Sequence, residues 1–427
     1  MLATASEYLA DNENAEATAS SFFTRMSAGP LYFPEIAKFR AARLLWLRLL
    51  EAYGLDESIP LHIVAETTPT NKTITDTYNN LLRSNTEAMS AVIGGADQVL
   101  IHPYNQLIKK DDPFALRLAR NMHRIIREES HFEKVEDPSA GSYYLEQLTD
   151  TVAKEAWKFF QSIERSGGLL KALEGGMIRE QIQQSAQEKQ HAYNKGKRVL
   201  VGTNDHANPK EELPENVNPD GLKDSLKLTD FEPETDYGSP ILDQAIEAYQ
   251  QGATIGDIVP LFIEPQKVLY QTVEPVRFGE VFDRMQLRAR RFASENGSMP
   301  VVYLVPIGDP KWRNLRATYS QNILGCTGFD IHQSIGYDSI DEASEAIEPA
   351  EHSIFVLCGS DKEYGDLVAP FCDAFSEKGI CILAGYPGDK EENYRSAGIN
   401  YFIHTGMNIA ERLQEIQNHI FDETKKS

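Results

Sequence analysis

The 427-residue chain sets 42 Lys and Arg against 64 Asp and Glu, a net charge of -22, with 41% of its residues apolar. At that length more than one hydrophobic core is expected, since single cores stop growing near about 250–300 residues. The acidic field opposes nucleic acid and anionic membranes, whose binding depends on Lys and Arg meeting phosphates. No apolar run approaches the ~18 residues of a membrane span, and the N-terminus lacks both a basic start and a long apolar stretch, so a cytoplasmic location is expected.

Residues 33–54, FPEIAKFRAARLLWLRLLEAYG, place Phe39, Ala42, Trp46 and Leu49 at helical spacing, with Gly54 as the stop. Before Pro34 there is room for one helix and one short strand. LHIVAET at 61–67 has β character, and a helix is expected from Tyr78 to Val92, closed by Gly94 and Gly95. DQVLIH at 97–102 is a second strand, and 113–130 opens with Pro at a helix start, with Leu116, Ala119, His123 and Ile126 on one face. Such alternation means a parallel sheet with covering helices.

A long helical segment near 145–190 and a strand-like VLVGTN at 199–204 follow. Residues 205–237, rich in Pro, Asn, Asp and Glu, are expected to be an extended linker. Two helices follow near 239–259 and 275–295, the second with a basic face of Arg284, Arg288 and Arg291 that suits solvent or a neighbouring domain. Five β runs at 300–307, 329–336, 353–359, 380–385 and 399–404, each separated by a helical segment, give the element count of a flavodoxin-like doubly wound domain. The expected division is 1–204, 205–297 and 298–427. Cys326, Cys358, Cys372 and Cys381 form no C-x-x-C pair and are expected as buried thiols rather than a zinc or redox centre.

AKFRAARLLW at 37–46, DTYNNLLRSNTEAMSAVIGG at 76–95, FALRLARNMHRIIREES at 114–130 and KVEDPSAGSYYLEQLTD at 134–150 resemble the C-terminal part of the barrel of methylmalonyl-CoA mutases. LVPIGD, FDIHQSIGY, SIFVLCGSD and CILAGYPG follow in the order of that family's cobalamin-binding domain. The resemblance implies an α/β chain with a partial (β/α)8 TIM barrel followed by a flavodoxin-like domain. It is closest in kind to the family's non-catalytic small (beta) subunit. Adenosylcobalamin and the acyl-CoA substrate would then sit on a large catalytic subunit, in a heterodimer interconverting methylmalonyl-CoA and succinyl-CoA. The acidic mean field does not exclude CoA, because local cationic clusters can override it.

Catalytic members carry a D-x-H-x-x-G loop whose imidazole ligates cobalt through a neutral nitrogen, with the Asp fixing the tautomer. Here the stretch is Asp309-Pro310-Lys311-Trp312-Arg313-Asn314, and the Lys311 ammonium in the His position has no lone pair. Where relatives have small residues after the third and fourth strands, this chain has Gly359-Ser360-Asp361-Lys362-Glu363 and Gly385-Tyr386-Pro387-Gly388, so Tyr386 and the charges at 361–363 are expected to obstruct the nucleotide slot. The barrel segments Q-T-S-G-W-S-L-T and Q-S-L-H-T-N are replaced by Glu66 to Thr73 and Asp97 to His102, and strand-end loops carry the chemistry in this fold. The expectation is therefore no catalytic residue, no metal, and no cofactor held by the degenerate loop of Asp309, Lys311 and Asn314.

His62 and His102 on strands, and His332 after Asp330 on the second strand of the last domain, are expected to be structural. The Gly pairs at 94–95, 167–168 and 175–176 are helix stops rather than phosphate loops, and Asp137 to Ser142 is a structural turn. Fewer than eight strands precede the linker, so a complete barrel is not expected from this chain alone; a fragment, or a split product completed by another chain, would account for that. Two alternatives stay open. A competent acyl-CoA carbon-skeleton mutase would need residues 309–314 to ligate cobalt, and a stand-alone CoA-binding or regulatory protein would purify without a mutase partner.

Overall fold

The computed structural model describes residues 1–10, 13–109, 111–208, 217, 241–254, 258, 273 and 275–423. Two helices, α1 (Leu2–Ala10) and α2 (Ala15–Ser21), precede β1 (Phe23–Ala28), where the sequence suggested one helix and a short strand. The added boundary comes from Asn14, whose side chain accepts the Ala17 N–H at 3.1 Å and caps a second helix. Next, α3 (Tyr32–Tyr53) buries Phe39, Ala42, Trp46 and Leu49 as its spacing predicts. It stops at Gly54, whose φ of 66° lies in the left-handed region that glycine enters freely.

The alternation continues through β2 (His62–Thr67), α4 (Asn79–Ile93), β3 (Gln98–Leu100) and α5 (Pro113–Arg124), the last running into a π turn at Ile125–Glu129. On α5 the buried face runs through Ala115, Ala119, Met122 and Ile126, while His123 is exposed. The stripe is rotated from the expected one because Ala115 and Met122 supply the apolar contacts that Leu116 and His123 were expected to make.

The three strands pair in parallel in the order β1-β2-β3. Alternation turns Ala28, Ile63 and Ala65 into the core with Trp46 and Leu49 of α3. The opposite face carries Phe23, Arg25 and Ser27, then His62, Val64 and Glu66, then Gln98 and Leu100. On that face Phe23 is 64% and Leu100 42% exposed.

After β3 come α6 (Tyr143–Arg165), α7 (Leu169–Glu174) and α8 (Met177–Asn194), interrupted at the glycine pairs 167–168 and 175–176. Residues 199–204 are not a strand. Only an isolated bridge joins Val201 to Asp205, and the Asn204 side chain takes the local backbone instead, accepting from Leu200 N at 2.6 Å and donating to the Tyr193 carbonyl at 3.0 Å. The expected linker at 205–237 lies outside the described residues except at 205–208 and 217. Of the helix expected at 239–259, α9 (Ile241–Gln250) is described.

The following helix, α10 (Glu280–Asn296), packs Phe282, Met285, Ala289 and Phe292 into the core of the last unit. Its basic residues are engaged locally: Arg284 with Glu280, Arg291 with Glu295, and Arg288 over the Phe421 ring with its centroid 4.8 Å away.

That unit alternates β4 (Val301–Pro306), α11 (Pro310–Gly325), β5 (Asp330–His332), α12 (Ile340–Ala346), β6 (Ser353–Cys358), α13 (Tyr364–Phe375), β7 (Gly379–Leu383), α14 (Glu391–Ser396), β8 (Tyr401–Phe402) and α15 (Ile409–Glu423). All five expected strands are present, parallel and in the order β5-β4-β6-β7-β8. Counted within the domain this is 2-1-3-4-5, the flavodoxin-like winding. Both faces are covered over β4, β6 and β7, which is why those strands are continuous apolar runs. Val302, Leu304, Ile354 and Val356 meet α10 and α15 on one side, and Val305, Phe355 and Leu357 meet α12 and α13 on the other. The four cysteines are buried and unbridged.

Candidate functional site

Two places in this architecture are positioned to carry chemistry: the strand-end loops of the three-stranded sheet, and the crevice at the carboxyl ends of β4 and β6. In a barrel the chemistry sits at strand C-termini, and in an open parallel sheet at the point where strand order reverses.

At the first place, Glu66 near the end of β2 accepts from Arg25 Nε of β1 at 2.5 Å and from His102 Nε2, just beyond β3. His102 is fixed by its own backbone N–H, which donates to Thr67 Oγ1 at 3.0 Å. Burial pulls the Glu66 carboxyl upward, but the bonds from Arg25 and His102 outweigh it and leave it below the usual carboxylate range.

The loop that follows is locked. Lys72 Nζ donates to both Glu87 oxygens at 2.8 Å and to Asn71 Oδ1 at 2.9 Å. Asp283 of α10 accepts from the Ile74 N–H at 3.1 Å, from the Thr75 N–H at 3.1 Å, from the Thr75 hydroxyl at 2.9 Å and from Arg277 Nη1 at 2.6 Å. Thr67, Asn71, Lys72, Thr73 and Thr75 are buried. Little of this loop can reach a ligand.

At the second place, the residues expected as a loop at 309–314 form the start of a helix. Asp309 Oδ1 accepts the N–H groups of Lys311 at 3.0 Å and Trp312 at 3.1 Å, making it the N-cap of α11, with Pro310 at the first helical position. Lys311 and Asn314 are exposed in that first turn.

The adjoining crevice is filled from within. Glu363 accepts from the Asp309 N–H at 3.1 Å, from the Ser360 N–H at 3.1 Å and from the Ser360 hydroxyl at 2.5 Å. The buried Tyr364 hydroxyl donates to the Ala384 carbonyl at 2.6 Å and accepts from the Gly359 N–H at 3.1 Å, and Arg316 pairs with Asp361 at 2.9 Å. Tyr386, expected to obstruct this slot, points outward instead, 71% exposed and edge-on to His404. Glu363 and Tyr364 do the filling.

Residues 1–229 match the family model described as methylmalonyl-CoA mutase. The chain belongs to the methylmalonyl-CoA mutase family. It is 32% identical to the methylmalonyl-CoA mutase small subunit of Porphyromonas gingivalis across 93% of this chain and 58% of that protein. It is 28% identical to a methylmalonyl-CoA mutase of Cereibacter sphaeroides, across 93% of this chain and 60% of the relative. The small subunit of Streptomyces virginiae is 28% identical, with 84% and 52% covered. The chain thus spans about half to three fifths of the length of these mutase relatives.

Within the mutase framework, the structure brings Glu66, His102 and Arg25 together but leaves His62 exposed on the same sheet face. His332 stands on β5 against the Tyr303 ring, 5.2 Å between centroids. The turn at Asp137–Ser142 ties α6 to α3, since Arg40 Nη2 donates to Asp137 and Glu146, each at 2.9 Å. Among the described residues no three His, Cys, Asp or Glu side chains converge as a metal site, and no helix is long and apolar enough to cross a membrane. Arg25 and Asp283 carried no signal in the sequence, whereas Glu363 was among the charges at 361–363 expected to obstruct the slot. The Asp-Pro pair at 309–310 offered a local signal, that of a helix cap.

Proposed function

We propose that this chain serves as a non-catalytic small-subunit component of a methylmalonyl-CoA mutase, paired as a heterodimer with a large subunit that carries adenosylcobalamin and interconverts methylmalonyl-CoA and succinyl-CoA. Relatives that bear the small-subunit name support the assignment. The observation that carries the non-catalytic part is residue 311. A lower cobalt ligand needs a neutral nitrogen lone pair, and an ammonium in the first turn of a capped helix supplies none. The crevice beside it is taken up by Glu363 bonded to Asp309 and Ser360, by Tyr364 bonded to Gly359 and Ala384, and by the Arg316–Asp361 pair, so the residues present do not fit a corrinoid's nucleotide tail. At the barrel end, Glu66 is taken up by Arg25 and His102.

The test is reconstitution. The purified chain incubated with adenosylcobalamin should stay colourless after gel filtration and leave methylmalonyl-CoA unchanged. Co-expressed with a mutase large subunit, it should elute with that subunit. Retention of corrinoid by the isolated chain, or isomerisation by it alone, would overturn the proposal.

A further inference from the structure

We infer that the outer face of α5 is a docking surface for an acidic segment of protein, and that its occupant is the polypeptide that takes the free edge of β3. Arg117, Arg120 and Arg124 stand three and four residues apart, in one line within about 10 Å of helix length. All three are exposed, on the side of the helix opposite the buried Ala115, Ala119 and Met122. Among the described residues none of the three makes an ion pair or a side-chain hydrogen bond. Elsewhere the chain answers an exposed helix cation with an acid one turn away, Lys154 with Asp150, Arg284 with Glu280 and Arg291 with Glu295. On α5 the nearby acids are engaged otherwise. Asp112 caps the helix by accepting the Phe114 N–H and also takes the Asn105 amide, while Glu128 and Glu133 both lie against Arg127. Like charges one helical turn apart weaken a helix, and an acidic surface laid along the line removes that repulsion.

The place of the line in the fold names the occupant. Ala119 and Met122 pack against Ala88 of α4 and Ile101 just beyond β3, so α5 covers the last strand of its sheet and turns its arginines away from α4. β3 pairs with β2 on one side and has no partner on the other among the described residues. A parallel strand that joins β3 there carries a crossover helix, which comes to lie beside α5. The ends of the line suit a protein as well. Phe114 and Ile125 are 57% and 44% exposed, and arginine among aromatic and aliphatic side chains is the composition of interface anchors. Nucleic acid or an anionic membrane would meet the field of a chain with net charge -22 without the strand pairing that holds a protein segment against it. The inference requires that another segment pair with β3 and is independent of the loss of cobalamin.

The experiment co-expresses the full chain with the remaining barrel segment of the Porphyromonas small subunit and measures their affinity against salt. Wild-type affinity should fall as salt rises. Arg120→Glu sets an acid between two arginines. It should weaken the pair about tenfold and flatten the salt dependence, yet leave the denaturation midpoint of the isolated chain unchanged or higher, because repulsion along the helix becomes attraction. Arg120→Lys, which keeps the charge, should bind with the wild-type salt dependence. Arg291→Glu, at a cation already paired within its own helix, is the control and should bind as wild type does. Should Arg120→Glu not fold, as judged from the α4 amides, Arg117→Gln combined with Arg124→Gln repeats the comparison. Slowed exchange at β3 reports strand pairing separately. If β3 slows while the charge variants bind like wild type, the sheet is completed without the arginines and the inference fails. A segment that does not bind, or duplex RNA that binds wild type but not Arg120→Glu, overturns it too.

Discussion

Lys72 and Glu87 are 2% and 1% exposed and meet through two contacts of 2.8 Å. Burial pushes the lysine's pKa down and the carboxyl's up, and it is opposed at each by the partner's charge and, at Glu87, by the Asn71 amide. Breaking one side of such a pair strands a buried charge, whereas replacing both removes the problem. Glu87→Ala should therefore cost about 3–5 kcal/mol in denaturant unfolding, and the double change Lys72→Met with Glu87→Leu much less. Equal losses would mean the pair is not what fixes the loop. Glu66 carries a different signature. Its folded pKa lies below the ordinary value of about 4.3 because Arg25 and His102 together outweigh the cost of burial. The stability it contributes is complete above the ordinary value and is lost as pH falls through the lowered one. Removing the imidazole with His102→Ala should raise the Glu66 titration midpoint, as read by carbon NMR of its carboxyl, and shift the acid limb of the stability curve to higher pH. An unmoved midpoint would leave Arg25 as the sole cause.

At the scale of elements, α10 joins two units. Its apolar face belongs to the core of the five-stranded domain, while Asp283 at its N-terminal end holds the backbone of Ile74 and Thr75 and the Arg277 guanidinium. Asp283→Ala leaves two buried N–H groups and an arginine without this acceptor, at a penalty of roughly 1–3 kcal/mol for an unsatisfied group and more where charge is involved. The expected result is faster amide exchange at Ile74 and Thr75, with β4 and β6 amides unchanged. Uniform loosening of both units would mean that Asp283 supports the whole fold rather than the junction. None of this coupling was legible in the sequence, because Asp283 and Thr75 are separated by 208 positions and an acid within a helix carries no mark of its partner. What was legible followed local physics. The apolar runs that became β4, β6 and β7 had to be strands covered on both faces, and Phe39, Ala42, Trp46 and Leu49 had to face one way. VLVGTN had β composition but lay in a turn, where the Asn204 side chain took the backbone bonds a ladder would have used. The cap at Asp309 could have been read from Asp-Pro. Obstruction of the slot by the charges at 361–363 was legible as well, but not that Glu363 would achieve it by taking the Asp309 N–H, 54 positions away.

For the whole molecule, the unresolved physical demand is the three-stranded sheet. Parallel sheets occur almost only with both faces covered, yet here β1 and β3 each have one paired neighbour among the described residues, and Phe23 and Leu100 stand exposed on the uncovered face. Unpaired strand edges and exposed apolar side chains recruit other polypeptide, and a barrel of this type closes with eight strands. The mutase relatives, of which this chain spans about half to three fifths, are long enough to supply the rest. We expect the isolated chain to bind a hydrophobic dye and to exchange the outer amides of β1 and β3 quickly. Adding the remaining barrel segment of the Porphyromonas small subunit as a separate polypeptide should abolish dye binding and slow those amides. The five-stranded domain, already closed on both faces, is the internal control, since its β6 amides should be protected under either condition. A lone chain that excludes dye and protects β1 as well as β6 would mean that the open face is stable in water as it stands, and that nothing further is required to complete the sheet.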